Sequence, residues 1–193
     1  MKRRQTHKKI LYLTLCLLFY GVCVSQVVAQ HTVNIVTTNW PPFYSEEILN
    51  GGPLTQVSAE AFKSVGYGVK IEFLPWKRAL VYVKTGEADA LLGAYKNEER
   101  KTFAYYTESI LGEARSAIIA RKGSSITYDS WEKLKPYVIG ILMGTSISKK
   151  FDSAKGNLGI TEHSSEPKLI KLLESNRLDL IAGSEQVFFQ NIR

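Results

Sequence analysis

Four short stretches of this chain carry side chains able to hold a small molecule, and each follows a run that reads as a β-strand. Trp40 and Phe43 come after the first strand, Tyr95 to Arg100 after the third, and Gly144-Thr145-Ser146 and Ser184-Glu185 after two later ones. Loops beyond the carboxyl ends of strands are where open α/β sheets bind their ligands. Trp40 offers an aromatic wall on which an apolar or cationic group could stack, although a Trp packed into its own loop reads the same way. Gly144-Thr145-Ser146, placed to start a helix, offers N–H groups and hydroxyls to an anion, while an ordinary N-cap uses those same hydroxyls. Arg100 stands beside Glu98, Glu99 and Lys101 and, taken alone, reads as a solvated member of a charged turn.

Covalent and metal chemistry find little support. The histidines are His7, His31 and His163, the last alone in a Thr-Glu-His-Ser-Ser segment expected to be a turn. No H-E-x-x-H, G-x-S-x-G, P-loop or dinucleotide glycine fingerprint occurs. Both cysteines, Cys16 and Cys23, fall in an N-terminal segment that reads as a leader, so the mature chain has no thiolate for a metal or a nucleophile. Cys23 follows Val22, where a lipobox needs a small residue. Neither a metal nor an organic cofactor is expected.

That leader is defined by its order of charge and hydropathy. Lys2, Arg3, Arg4, Lys8 and Lys9 come without an acid, Ile10 to Val24 is nearly unbroken apolar sequence, and Val27-Val28-Ala29 fits a cleavage site after Ala29. The apolar core is short for a membrane span of ~20 residues; an uncleaved anchor is the alternative. The formal charge of +7 comes from 25 basic and 18 acidic residues, and without the five basic leader residues the balance is 20 − 18 = +2. The basic character is therefore mostly a targeting feature, and no nucleic-acid partner is expected. Export without disulfides suits a periplasm.

The elements that would position the candidate loops alternate. A strand over His31 to Thr38 runs into a Pro41-Pro42 loop that cannot continue a ladder. Gly51-Gly52-Pro53 opens a helix whose apolar face is expected to be Leu54, Val57, Ala61 and Val65. A strand over Val69 to Leu74 precedes an amphipathic helix (Trp76, Ala79, Leu80, Val83) stopped by Gly86. An apolar strand from Ala88 to Gly93 follows, and later a long one from Gly112 to Arg121. Beyond the Lys122-Gly123-Ser124-Ser125 turn, a short helix over Trp131 and Leu134 is capped by Asp129 or Ser130 and stopped by Pro136. Then come a strand from Tyr137 to Leu142, the Gly144-Thr145-Ser146 helix start, a helix capped by Ser165-Glu166-Pro167, a strand over Leu178 to Ala182 and a last short helix. Single helices between strands predict an α/β fold with mostly parallel strands.

From Leu74 to Arg115 the order is helix, G-x-x-D-A strand, loop, x-E-R, aromatic, S-x-x. This linear pattern resembles the polar amino-acid-binding proteins that feed ABC importers, bacterial extracellular solute-binding protein family 3. The resemblance implies a periplasmic binding protein-like type II α/β fold of two lobes joined at a hinge. Its expected divisions are a signal peptide over 1–29, lobe 1 over 30–113, a hinge-crossing strand over 114–122, and lobe 2 over 123–193. In the family the chain returns to the first lobe after the Leu178 to Ala182 element; here it stops at Arg193, 193 − 29 = 164 residues after the expected cut. The expectation is a missing return crossing and apolar surface exposed on the first lobe.

The resemblance also implies roles. Arg100 would fork onto the ligand's carboxylate, a task that suits a planar guanidinium better than an ammonium. Thr145, with Gly144 and Ser146, would meet the same carboxylate from the second lobe. Trp40 would cover the ligand's side chain. Tyr95 stands where the family often has a small hydroxyl residue, so a tighter or differently polar pocket is expected. Arg78 belongs to a P-W-x-R-A variant; it would face the cleft or else make a helix-surface salt bridge. Asp179 matches the first acid of a D-A-x-x-x-D arrangement, but Ser184 replaces the second, which accepts from the ligand's ammonium. Loss of that partner costs on the order of 2 kcal/mol, leaving an ordinary amino acid or another small carboxylate as ligand. The expected activity is capture of a small amino acid-like carboxylate for an ABC transporter permease by a monomeric, non-enzymatic protein. The alternatives are a cyclohexadienyl dehydratase-like enzyme, with Glu185 or Glu98 as its acid, and a sensory domain.

Overall fold

The computed structural model describes residues 31–109 and 111–192; the leader expected over 1–29 lies outside them. Its first sheet is built by β1 (Thr32–Thr37), β2 (Gly68–Phe73) and β3 (Ala90–Leu91), in the order β2-β1-β3 with both pairs parallel. Between these strands run α1 (Pro53–Ser64) and α2 (Trp76–Thr85). β4 (Ser116–Ala120) opens the second sheet and pairs antiparallel with β7 (Leu180–Ser184). β5 (Val138–Leu142) lies parallel to β7 and to β6 (Gly159–His163), giving the order β4-β7-β5-β6. α3 (Trp131–Leu134), α4 (Lys149–Ala154), α5 (Glu166–Glu174) and α6 (Glu185–Ile192) complete this half.

Each sheet is covered on both faces, as parallel strands require. In the second, Ile139, Ile141, Leu180 and Ala182 pack against Leu134 and Phe151 on one face. Ile181 turns to the other face, against Leu169, Leu173 and Phe188. In the first, Ile35 packs with Tyr44 and Leu92 while Val36, its neighbour, packs with Ala79 and Ala88. The period-2 alternation of strands thus divides each core in two.

The two halves repeat one local device. α2 ends at Gly86 in the left-handed region (φ 78°), and three residues later the Asp89 carboxylate accepts from the Asn34 N–H at 2.8 Å while its own N–H donates to the Asn34 carbonyl at 3.0 Å. α5 is followed by Asn176 at φ 58°. Asp179 then closes the same clasp on Val138, with bonds of 2.8 and 3.0 Å. An αL residue reverses the chain, and an aspartate fixes the register of the incoming strand on the start of its neighbour.

Several expectations are corrected. α1 does not bury Val57, Ala61 and Val65: Val57 and Val65 are 55% and 68% exposed. Its inner face is Leu54, Thr55, Ser58 and Phe62. Thr55 Oγ1 donates to the Gly52 carbonyl at 2.6 Å and Ser58 Oγ to the Leu54 carbonyl at 2.8 Å, so these hydroxyls enter the core already paired. Exposed apolar residues do lie on the first half, at Leu49, Val57, Val65 and Val81, but on outer faces of the covering segments rather than on bare sheet. Thr161, Glu162 and His163, expected to belong to a Thr-Glu-His-Ser-Ser turn, instead end edge strand β6. Ser130 is the N-cap of α3, with no side-chain cap bond. Gly144-Thr145-Ser146 does not start a helix; α4 begins at Lys149, and Ser148 is its cap, accepting from the Phe151 N–H.

Candidate ligand-binding site

A cavity of about 40 Å³ lies where the loops beyond the first sheet meet those of the second, with room for a few water molecules. Among its lining residues are Trp40, Tyr95 and Arg100 from the first half and Thr145, Ser146, Glu166 and Ser184 from the second. Six of the eight residues singled out in the sequence therefore converge on one space. Arg78 is exposed on α2 and does not line it. The P-W-x-R-A segment contributes Trp76 instead, buried to 6% exposure and part of the wall. Gly144 is not in the lining either, but it holds the two halves together.

Arg100 is 4% exposed. It opens a 3-10 turn, Arg100–Thr102, tied by its N–H to the Asn97 side chain at 2.8 Å. Its Nη1 donates to the Tyr95 carbonyl at 2.7 Å and its Nη2 to the Gly144 carbonyl at 3.1 Å. The guanidinium carbon lies 5.4 Å from the centre of the Trp76 ring. Tyr106 also donates to the Tyr95 carbonyl, at 2.8 Å. Among the described residues no carboxylate pairs with Arg100. A cation held this far from water, with only neutral carbonyls and a ring around it, is the feature of the site most in need of an anion.

The Gly144 carbonyl accepts a second bond, from Trp76 Nε1 at 3.2 Å. Gly144 has φ 75°, and a Cβ there would come 3.3 Å from the Leu80 side chain, so this position favours glycine on both grounds. Downstream, Ser146 Oγ donates to Asp152 at 2.6 Å, and the Ile147 N–H donates to the same carboxylate at 3.2 Å. Thr145 Oγ1 makes only a 3.5 Å contact with the Ser146 carbonyl, leaving its hydroxyl toward the cavity open to a better partner.

Trp40 meets Tyr95 edge to face, with ring centres 6.3 Å apart. The Tyr95 hydroxyl is buried without a hydrogen-bond partner, and burial raises its pKa above the ordinary value. Burial likewise pushes the Tyr44 phenol up, opposed by a hydrogen bond with Thr37 and aided by the proximity of Tyr95 and Glu166. Ser184 Oγ donates to Gln186 Oε1 at 3.2 Å.

In the sequence Glu166 is no more than part of the Ser165-Glu166-Pro167 helix start. It is the first residue of α5, held there by Leu169, Ile170 and Leu173 packing beneath it, and it faces the cavity. Burial raises its carboxyl to a pKa of about 7; its own backbone N–H favours the ionised form but less strongly. The acids expected for an enzymatic reading lie elsewhere: Glu98 pairs with Lys101 on the surface, and Glu185 faces Arg115 at 3.5 Å. Among the described residues no three His, Cys, Asp or Glu side chains are grouped to hold a metal ion.

No protein-family model matches the chain, and no curated protein matches it in sequence. Solved structures do. An arginine-bound, truncated form of the arginine-binding protein from T. maritima is 18% identical, with 83% of this chain and 77% of that one covered, at a TM-score of 0.68. The ancestral amino acid-binding protein AncCDT-1, a precursor of cyclohexadienyl dehydratase, is 20% identical over 83% and 74%, also at 0.68. The substrate-binding protein of an amino acid ABC transporter is 19% identical over 83% and 73%, at 0.69. The fold is the periplasmic binding protein-like type II α/β fold, and its structural neighbours include amino-acid-binding proteins.

Proposed function

We propose that this chain captures a small, amino acid-like carboxylate between two lobes for an ABC importer. The lobes are residues 30–113 and 123–193, with 114–122 crossing between them. Arg100 grips the carboxylate, the Thr145 hydroxyl and Ser146 approach from the second lobe, and Trp40 with Tyr95 covers the remainder. The leader over 1–29 directs the protein to the periplasm, where an ABC permease receives the loaded form.

The observation that carries this reading is the buried Arg100 guanidinium, without an acidic partner among the described residues, on the wall of a cavity between the two sheets. A solute carboxylate would supply the missing charge. A thermal-shift screen of the purified protein against amino acids, other small carboxylates and amines tests it, since a bound solute raises the melting point by mass action. Arg100→Ala is expected to abolish the response while the protein remains folded. A response that survives the substitution, or comes only from amines, overturns the proposal.

A second reading has one observation in its favour. Glu166 is an acid with a raised pKa inside the cavity, the kind of group that a dehydratase on this fold would use. Turnover of prephenate or arogenate, lost in Glu166→Gln, would establish it.

A further inference from the structure

On the reading that Arg100 binds a carboxylate, we propose that Glu166 is the acceptor for a cationic group on the same ligand, so that the site selects zwitterions over simple anions. Ser184 removes the acid expected at the end of β7, and its hydroxyl is engaged with Gln186. A ligand ammonium entering this cavity would have no charged partner on β7. Glu166 lines the same space from the start of α5, next to β7 in the second half. Among the described residues it forms no ion pair and no side-chain hydrogen bond with another side chain. The cavity thus holds one buried cation and one acid that are not paired with each other, the arrangement that a molecule carrying both charges would complete.

Two further observations agree. The Tyr95 hydroxyl is buried without a partner on the same wall, so the space lacks a polar group that a ligand would bring. The other titratable groups lining the cavity are Arg100, Tyr44 and Tyr95; none is a carboxylate that could take the ammonium instead. Burial raises the Glu166 carboxyl to a pKa of about 7, and an arriving cation would favour its charged form. A simple carboxylate would instead bring a second negative charge to an acid already resisting ionisation.

The test is calorimetric titration of the purified full chain with each of the twenty amino acids and with the matching carboxylic acids that lack every amino and guanidino group, such as L-glutamine against glutaramate and L-leucine against 4-methylpentanoate. At least one amino acid is expected to bind ten-fold or more tightly than its deaminated partner. Glu166→Gln, with a melting point no lower than wild type, should erase that preference, whereas Glu166→Asp should retain part of it. Glu166→Gln combined with Ser184→Asp should restore it by returning the acid to β7. Arg100-dependent binding that is equally strong for both series overturns this inference and leaves carboxylate capture standing. A preference unchanged by Glu166→Gln overturns it as well, and binding by neither series overturns both.

Discussion

The raised pKa of Glu166 makes this residue a source of pH-dependent stability. Its folded-state value of about 7 lies above the ordinary 4.5, so the folded chain holds its proton more tightly than the unfolded chain does. The contribution is present in full below the ordinary value and is lost as pH rises through about 7. The ligand-free wild-type protein is expected to lose on the order of 2 kcal/mol relative to Glu166→Gln between pH 5 and 8. Thermal melts at fixed ionic strength check this. His163, held below its ordinary pKa first by burial and then by Lys168, gives a slope of the opposite sign, so the wild-type-minus-variant difference is the quantity to read. Arg100 and its neighbours were legible in the sequence because a linear pattern marked them. Glu166 was not, because Ser165-Glu166-Pro167 is a complete helix start, and the tertiary placement of α5 alone turns one of its residues toward the cavity.

Among the elements, α1 separates what apolar spacing reveals from what burial requires. Leu54, Val57, Ala61 and Val65 form a regular stripe, yet the helix turns Thr55 and Ser58 inward, where both hydroxyls are satisfied by carbonyls of their own segment. Thr55→Val, which keeps the shape but removes the donor, is expected to cost about 1–2 kcal/mol, while Val57→Ser on the exposed side should stay within about 0.5 kcal/mol; urea titrations distinguish the two. The Asp89 and Asp179 clasps were readable in the sequence because each aspartate stands three residues after an αL turn residue, although each carboxylate bonds a residue far along the chain, Asn34 or Val138. Asp179→Ala should lower stability by about 1–2 kcal/mol and increase amide exchange at Val138, at the start of β5. β6 was illegible for the opposite reason: Gly159-Ile160-Thr161-Glu162-His163 is short and polar, and its strand character comes from pairing with β5 at the sheet edge.

At the scale of the whole molecule, the halves are joined across the cavity by two donors on one acceptor. Trp76 Nε1 and Arg100 Nη2 both reach the Gly144 carbonyl. Trp76→Phe keeps the ring beside Arg100 but removes one tie. It is expected to enlarge the ligand-free protein measurably in small-angle scattering while leaving the two sheets intact by circular dichroism. Opening of this kind is what a cavity of about 40 Å³ requires if the occupant is a whole amino acid.

The shared acceptor has a thermodynamic consequence for any such opening. A jaw that bolts itself shut when vacant spends part of its time in a form no cargo can enter, and its measured grip is weakened by that fraction. Filing down the bolt should therefore tighten binding. Trp76→Phe, although on the wall of the chamber, is expected to lower rather than raise the dissociation constant.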